Sequence, residues 1–208
     1  GPSAVPQEVL ESLENSLYNF KDMGMGILEI SHRSWQFEEI LNNSKTLLKE
    51  LLKIPDSYEI FFCTGGATQQ FSMIPMNLGK KDHEANYIVN GTWGDKAAKE
   101  AKKFTSTHIA GFRDFKKNPG LPTEIQLSKN PSYLHFTVNE TVEGTQFKNE
   151  PDSKTIPLIN DSSSEILGRE IDISKYSLVY AGAQKNLGFA GVTIVMIKKD
   201  LISDQNKS

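Results

Sequence analysis

Apolar residues recur at helical spacing over residues 6 to 20, "PQEVLESLENSLYNF", where Val9, Leu10, Leu13, Leu17 and Phe20 share one face. Pro6 sits near the first turn, where its missing N–H costs nothing. A second amphipathic helix fits 34 to 53, with Phe37, Ile40, Leu41, Leu47, Leu48, Leu51 and Leu52 on its apolar side. The period then changes. "YEIFFCTGG" is a short apolar run closed by a glycine pair, the mark of a buried strand, and it leads into a helix over "ATQQFSMIPMNL". The alternation continues with a strand in "NYIVNG", a strong helix former in "DKAAKEAKKF" and a strand in "STHIAGF". A loop from about 112 to 126 carries Pro119, Gly120 and Pro122. Beyond it, "SYLHFTVN", "TIPLIND", "YSLVYAG" and "VTIVMIK" are four further strand candidates.

Strands alternating with helices predict an α/β fold with a largely parallel mixed sheet covered by helices. At 208 residues the chain has room for one substantial domain with a sizeable core. A net charge of −3, with no block of basic residues, offers no field for nucleic acid or an anionic membrane. The single cysteine, Cys63, excludes an intrachain disulfide and suits a reducing compartment. No apolar stretch approaches the length of a membrane span and no signal-peptide pattern opens the chain, so a cytoplasmic setting is expected. The abrupt start at Gly1-Pro2 and the polar end "DLISDQNKS" read as those of a fragment.

In open α/β sheets, ligands bind outside the carboxyl ends of the strands. Gly65-Gly66-Ala67-Thr68, Gly91-Thr92-Trp93, Asn139-Glu140-Thr141, Asp161 and Gln184-Lys185 all fall there. The amides of Gly66, Ala67 and Thr68 can seat a phosphate at a helix start, with the Thr68 hydroxyl helping. The same residues serve an ordinary tight turn equally, since neither the dinucleotide fingerprint nor the P-loop is matched. Trp93 is either a core aromatic or a ring face on the crevice. Asp161 is either a turn aspartate or a semi-buried acid that wants a cationic partner. Thr141 and Gln184 are ordinary hydrogen-bonding residues.

Lys185 decides between these readings. An amine attacks a carbonyl only when neutral, so a nucleophilic lysine needs desolvation or nearby positive charge. Its small neighbours Ala181, Gly182 and Ala183 leave room for a bulky group. A phosphate seat, a ring face, an acid and an amine are together the parts that hold pyridoxal phosphate. His32-Arg33 in "EISHRSW" is either an anion clamp or a surface pair. His83, His108 and His135 show no metal-ligand spacing, and no metal is expected.

"EISHRS", "FFCTGGATQQF", "GTWGDKAAKEAKK", "VNETVEGTQF" and "NDSSSEILGREIDISKYSLVYAGAQKNLGFAGVTIVMIKKDLI" together resemble the phosphoserine aminotransferase family, over nearly the whole chain and in collinear order. The resemblance implies the large domain of a fold-type I pyridoxal-phosphate transferase, with helices on both faces of the sheet. It implies that residues 1–208 are an incomplete cofactor-binding domain without the family's smaller C-terminal domain. It makes Lys185 the lysine that binds the cofactor covalently and moves the α-proton, and Asp161 the partner of the pyridine nitrogen. Trp93 becomes the ring-stacking aromatic, while Thr141, Gln184, Ala67 and Thr68 become cofactor contacts. Some members carry arginine where this chain has Thr68, so here a hydroxyl and amides must serve. His32 and Arg33 resemble the contacts to substrate anions.

The reaction implied is transfer of an amino group from glutamate to 3-phosphohydroxypyruvate in serine biosynthesis, by a homodimer. The competing readings are a truncated, non-catalytic relative acting as a dimerising or interaction module, and a generic nucleotide-binding α/β domain. The second of these is disfavoured, because no fingerprint loop follows a first strand.

Overall fold

The computed structural model describes residues 2–203. Two helices come first, α1 (Gln7–Tyr18) and α2 (Trp35–Leu52), joined by irregular chain with two short 3₁₀ turns. The first strand, β1 (Tyr58–Thr64), passes through a 3₁₀ turn at Ala67–Gln69 into α3 (Gln70–Leu78). Then come β2 (Glu84–Val89), α4 (Thr92–Ala101), β3 (Thr107–Phe112) and β4 (Pro131–Thr137). A small hairpin follows, β5 (Asn139–Glu140) with β6 (Thr145–Gln146). The chain ends with β7 (Leu158–Asp161), β8 (Leu178–Gly182), β9 (Val192–Lys198) and α5 (Lys199–Ser203).

Seven strands form one sheet in the order β1-β9-β8-β7-β4-β2-β3. The ladders from β8 through β7, β4 and β2 to β3 are all parallel. β9 is antiparallel to both its neighbours, β1 and β8, so β1 runs the same way as the other five. Six strands therefore deliver their carboxyl ends to one edge, and that edge carries the site.

Both faces of the sheet are buried over its central strands, and the alternation of side chains shows it. On β4, Leu134 and Phe136 point into one core with Val179, Ile194 and Met196, while Tyr133 points into the other with Ile159 and Tyr180. A strand buried on both faces reads as a largely apolar run rather than an alternating one, which is why the central strands stand out in the sequence; the edge strands β1 and β3 are partly exposed. Helices α3 and α4 cover the second face; Ala97, Ala98 and Ala101 let α4 lie close against it. The first face takes only the end of α2, through Leu48 and Leu52, and is completed by loop residues such as Phe147, Ile166, Ile171 and Tyr176.

The two N-terminal helices form as their spacing predicts, but their packing does not follow the pattern. α2 has a proper start, with the Ser34 hydroxyl accepting the Phe37 amide at 3.3 Å, and it ends on Lys53 in the left-handed conformation. α1 buries none of its residues, and Phe20 falls beyond it in a 3₁₀ turn. Val9, Leu10 and Leu17 stand exposed, as do Leu47 and Leu51 on α2. The two 3₁₀ turns lie against α1 but leave these side chains open to solvent.

Candidate active site

Parallel strands place the turns after β1, β2, β4, β7 and β8 around one cleft with about 490 Å³ of empty volume. The cleft is lined by seven of the nine residues singled out from the sequence: Ala67, Thr68, Trp93, Thr141, Asp161, Gln184 and Lys185. The other two, His32 and Arg33, lie on the exposed turn ahead of α2 and outside this lining.

Asp161 ends β7 on the face that α3 and α4 cover and is only 4% exposed. Its Oδ1 accepts the Ser163 amide at 3.1 Å and the Ser163 hydroxyl at 2.6 Å. The same hydroxyl accepts the Gly182 amide at 3.1 Å, tying the end of β8 to the acid. Burial pushes the Asp161 carboxyl above the usual range, against the pull of the Ser163 bonds, of Tyr180 and of Lys185. Behind it, the Tyr180 hydroxyl lies 2.9 Å from His135 Nε2. Burial drives the His135 pKa down to about 3, so the ring is neutral. A sealed acid with a raised pKa gains from a cation brought beside it.

Lys185 lies in the turn after β8, where its Nζ donates to Thr141 Oγ1 at 2.8 Å. Burial lowers its pKa, which favours the neutral amine, while Asp161 and Glu140 pull it back up. Ala181, Gly182 and Ala183 are buried and none lines the cleft. A Cβ on Gly182 would lie 2.5 Å from the Gln184 side-chain oxygen, so the glycine makes room for Gln184 to fold back over its own strand end.

Trp93 opens α4 and stands on the cleft wall rather than wholly in the core, with Lys96 Nζ 4.6 Å from its ring centroid. Two polar atoms of lining residues, Trp93 Nε1 and Thr137 Oγ1, are buried without a hydrogen-bond partner. Across the cleft, the amides of residues 66–68 open a 3₁₀ turn that runs into α3 and have no intrahelical partners. The comparable start of α4 is already filled: Glu140 and Glu143 accept the amides of Thr92, Trp93 and Gly94. Of these two starts, the amides of the 66–68 turn are the ones left without a partner among the described residues. The site therefore presents a phosphate seat, an aromatic wall, a buried acid and a partly desolvated amine, with unpaired polar atoms between them. That set fits pyridoxal phosphate.

Gly66, Phe71, Asn139, Ser163 and Ser164 also line the cleft. The Asp-x-Ser spacing of "DSSS" was the available signal for Ser163, since such serines bond back to a preceding aspartate. No group of three or more metal-ligating side chains occurs among the described residues.

The geometry defines a class, and comparison with known proteins agrees. The aminotransferase class-V family profile matches residues 1–207, and the chain belongs to that family. It is 49% identical over its whole length to the phosphoserine aminotransferase of Lysinibacillus sphaericus, covering 58% of that protein. The solved phosphoserine aminotransferase of Bacillus circulans subsp. alkalophilus superposes with a TM-score of 0.93 at 47% identity, over 98% of this chain and 57% of that one. A pyridoxal-phosphate-bound phosphoserine aminotransferase from Trichomonas vaginalis gives 0.90 at 36% identity, over 98% and 58% respectively. The chain thus spans a little over half the length of these relatives.

Proposed function

We propose that residues 1–208 are the large, cofactor-binding part of a phosphoserine aminotransferase, exchanging an amino group between glutamate and 3-phosphohydroxypyruvate. The observation that carries this reading is the meeting of Lys185, Asp161, Trp93 and the 66–68 turn in one cleft. Pyridoxal phosphate, when bound, supplies an aldehyde that takes the amino group and a ring that takes up the electron pair of the α-carbon.

The chain's own residues do the rest. The 66–68 amides and the Thr68 hydroxyl hold the phosphate. Asp161, its orientation fixed by the Ser163 bonds, would keep a proton on the pyridine nitrogen. Trp93 offers its face to the ring. Lys185 would hold the aldehyde carbon and, when displaced by the substrate amine, would be the base that takes the α-proton and gives it to the former aldehyde carbon, across the nitrogen between them. Thr141 aims the Lys185 amine between these tasks. His32 and Arg33 are assigned to the anionic groups of the substrates on the family pattern; both are exposed, and Arg33 makes no ion pair among the described residues.

The family pattern also carries a homodimer and a cytoplasmic setting; no helix among the described residues is long and apolar enough to cross a membrane. The intact Lys185, Asp161 and Trp93 set tells against a non-catalytic module. The test is a single half-reaction: glutamate added to cofactor-loaded protein releases 2-oxoglutarate in wild type and not in Lys185→Ala. Equal release from both would refute the assignment.

A further inference from the structure

The β5–β6 hairpin touches several arms of the cleft at once. Thr141 receives Lys185 Nζ, and the Asn139 amide donates to Ser164 Oγ at 2.8 Å. Glu143 Oε1 accepts the Thr92 amide at 3.1 Å and the Thr92 hydroxyl at 2.6 Å. Glu140 reaches further in. Its Oε2 accepts the Trp93 amide at 2.9 Å and its Oε1 the Gly94 amide at 2.7 Å, and the residue is fully buried.

Chain geometry around this carboxylate is fitted to it. A Cβ on Gly91 would come within 2.4 Å of the Glu140 carboxyl carbon, and one on Gly94 within 3.1 Å of Oε1. The glycines of "GTWG" thus leave the volume that the carboxylate fills. A carboxylate at a helix start, held by two amides, is strongly oriented. One of those amides belongs to Trp93 itself, so a shift of the carboxylate shifts the residue that walls the cleft.

We propose that Glu140 is a positioning residue: by accepting the two amides that open α4, it holds the Trp93 ring on the cleft wall where the cofactor ring would lie. The cofactor half of this statement rests on the function proposed above; the placement of Trp93 does not. Glu140→Gln keeps the size but turns an N–H₂ toward an amide N–H, and Glu140→Asp keeps the charge but withdraws it by one methylene.

The test uses a Trp35→Phe background, which leaves Trp93 as the only tryptophan. Expected in Glu140→Gln is a rise of about twofold in acrylamide quenching of Trp93 and of about tenfold in the dissociation constant for pyridoxal phosphate, roughly 1.4 kcal/mol. Glu143→Gln, which caps Thr92 without touching the Trp93 amide, lowers Tm but leaves both readings at wild-type values. Glu140→Asp moves both in the same direction as Glu140→Gln and decides the matter if the Gln variant does not fold. A Glu140 variant that loses Tm while keeping wild-type quenching and affinity would reduce Glu140 to a helix cap and overturn the proposal. Should wild type itself take up no cofactor, the function proposed above fails, and the quenching of Trp93 still decides the role of Glu140.

Discussion

Asp161 and Glu140 are sealed from solvent at the strand ends, while Leu10, Trp35, Leu47 and Leu51 on the two N-terminal helices stand open to it. The first region buries charge and the second exposes apolar surface, and each departs from the usual distribution. The departures differ in kind. Both of these buried acids are oriented by named donors: Ser163 for Asp161, and Trp93 and Gly94 for Glu140. On α1 and the outer face of α2 apolar side chains such as Leu10, Leu47 and Leu51 are left exposed. A satisfied but costly arrangement marks chemistry, because a site is where local stability rules are broken and compensated. An uncompensated one records only that those faces are left uncovered here.

The comparison breaks first at Lys185. Lys185→Ala is expected to abolish transamination, a loss of at least about a thousandfold in kcat in the cofactor-loaded protein, with Tm nearly unchanged. Asp161→Ala comes next: most activity is lost and the cofactor is held weakly, measured by equilibrium titration of its absorbance. An unimpaired Asp161→Ala enzyme would remove the acid from the mechanism.

On the other side of the comparison, buried and exposed leucines of one helix are set against each other. Leu48→Ala, deep in the core beneath the sheet, is expected to cost about 2–5 kcal/mol in denaturant unfolding. Leu51→Ala, 65% exposed on the same helix, is expected to change stability by no more than about 0.5 kcal/mol. Equal losses would mean that the outer face of α2 is covered after all.

A pH profile separates the regions more finely. Burial lifts Glu140 from 4.5 to about 7, with Glu143 and Asp161 adding to the rise. The folded chain therefore holds more protons than the unfolded chain between those values, and stability falls as pH climbs through that window. Burial raises Asp161 as well, and its titration acts in the same direction. In Glu140→Gln the slope between pH 4.5 and 7 flattens, as read from Tm across the range. Leu51→Ala leaves it untouched.

The central strands were legible because both faces of the sheet are covered there, so each had to be a largely apolar run, whereas the edge strands β1 and β3, part-exposed, were marked by their apolar and β-branched residues and by the alternation with helices. The cleft was legible for a related reason: strand ends are where a parallel sheet must present its polar groups, and Lys185, Asp161, Trp93 and the 66–68 turn all sat there. The direction of β9 could have been read but was not singled out. Only residues 183–191 separate it from β8, too few for a parallel crossover. Periodicity announced α1 and α2 but says nothing of what covers a face, so the exposure of Leu10 and Leu51 emerges only from the packing. Glu140 was hidden more deeply. Its role depends on Gly91 and Gly94, about fifty residues away, leaving the space it fills.

The account stands or falls on whether the Lys185 amine meets an aldehyde in that cleft. Borohydride reduction of the protein with added pyridoxal phosphate, followed by peptide mapping, asks this directly. The account predicts one cofactor-sized adduct, on Lys185, lost in Lys185→Ala. An adduct spread over exposed lysines, or none on Lys185 in any length of chain that folds, would contradict it.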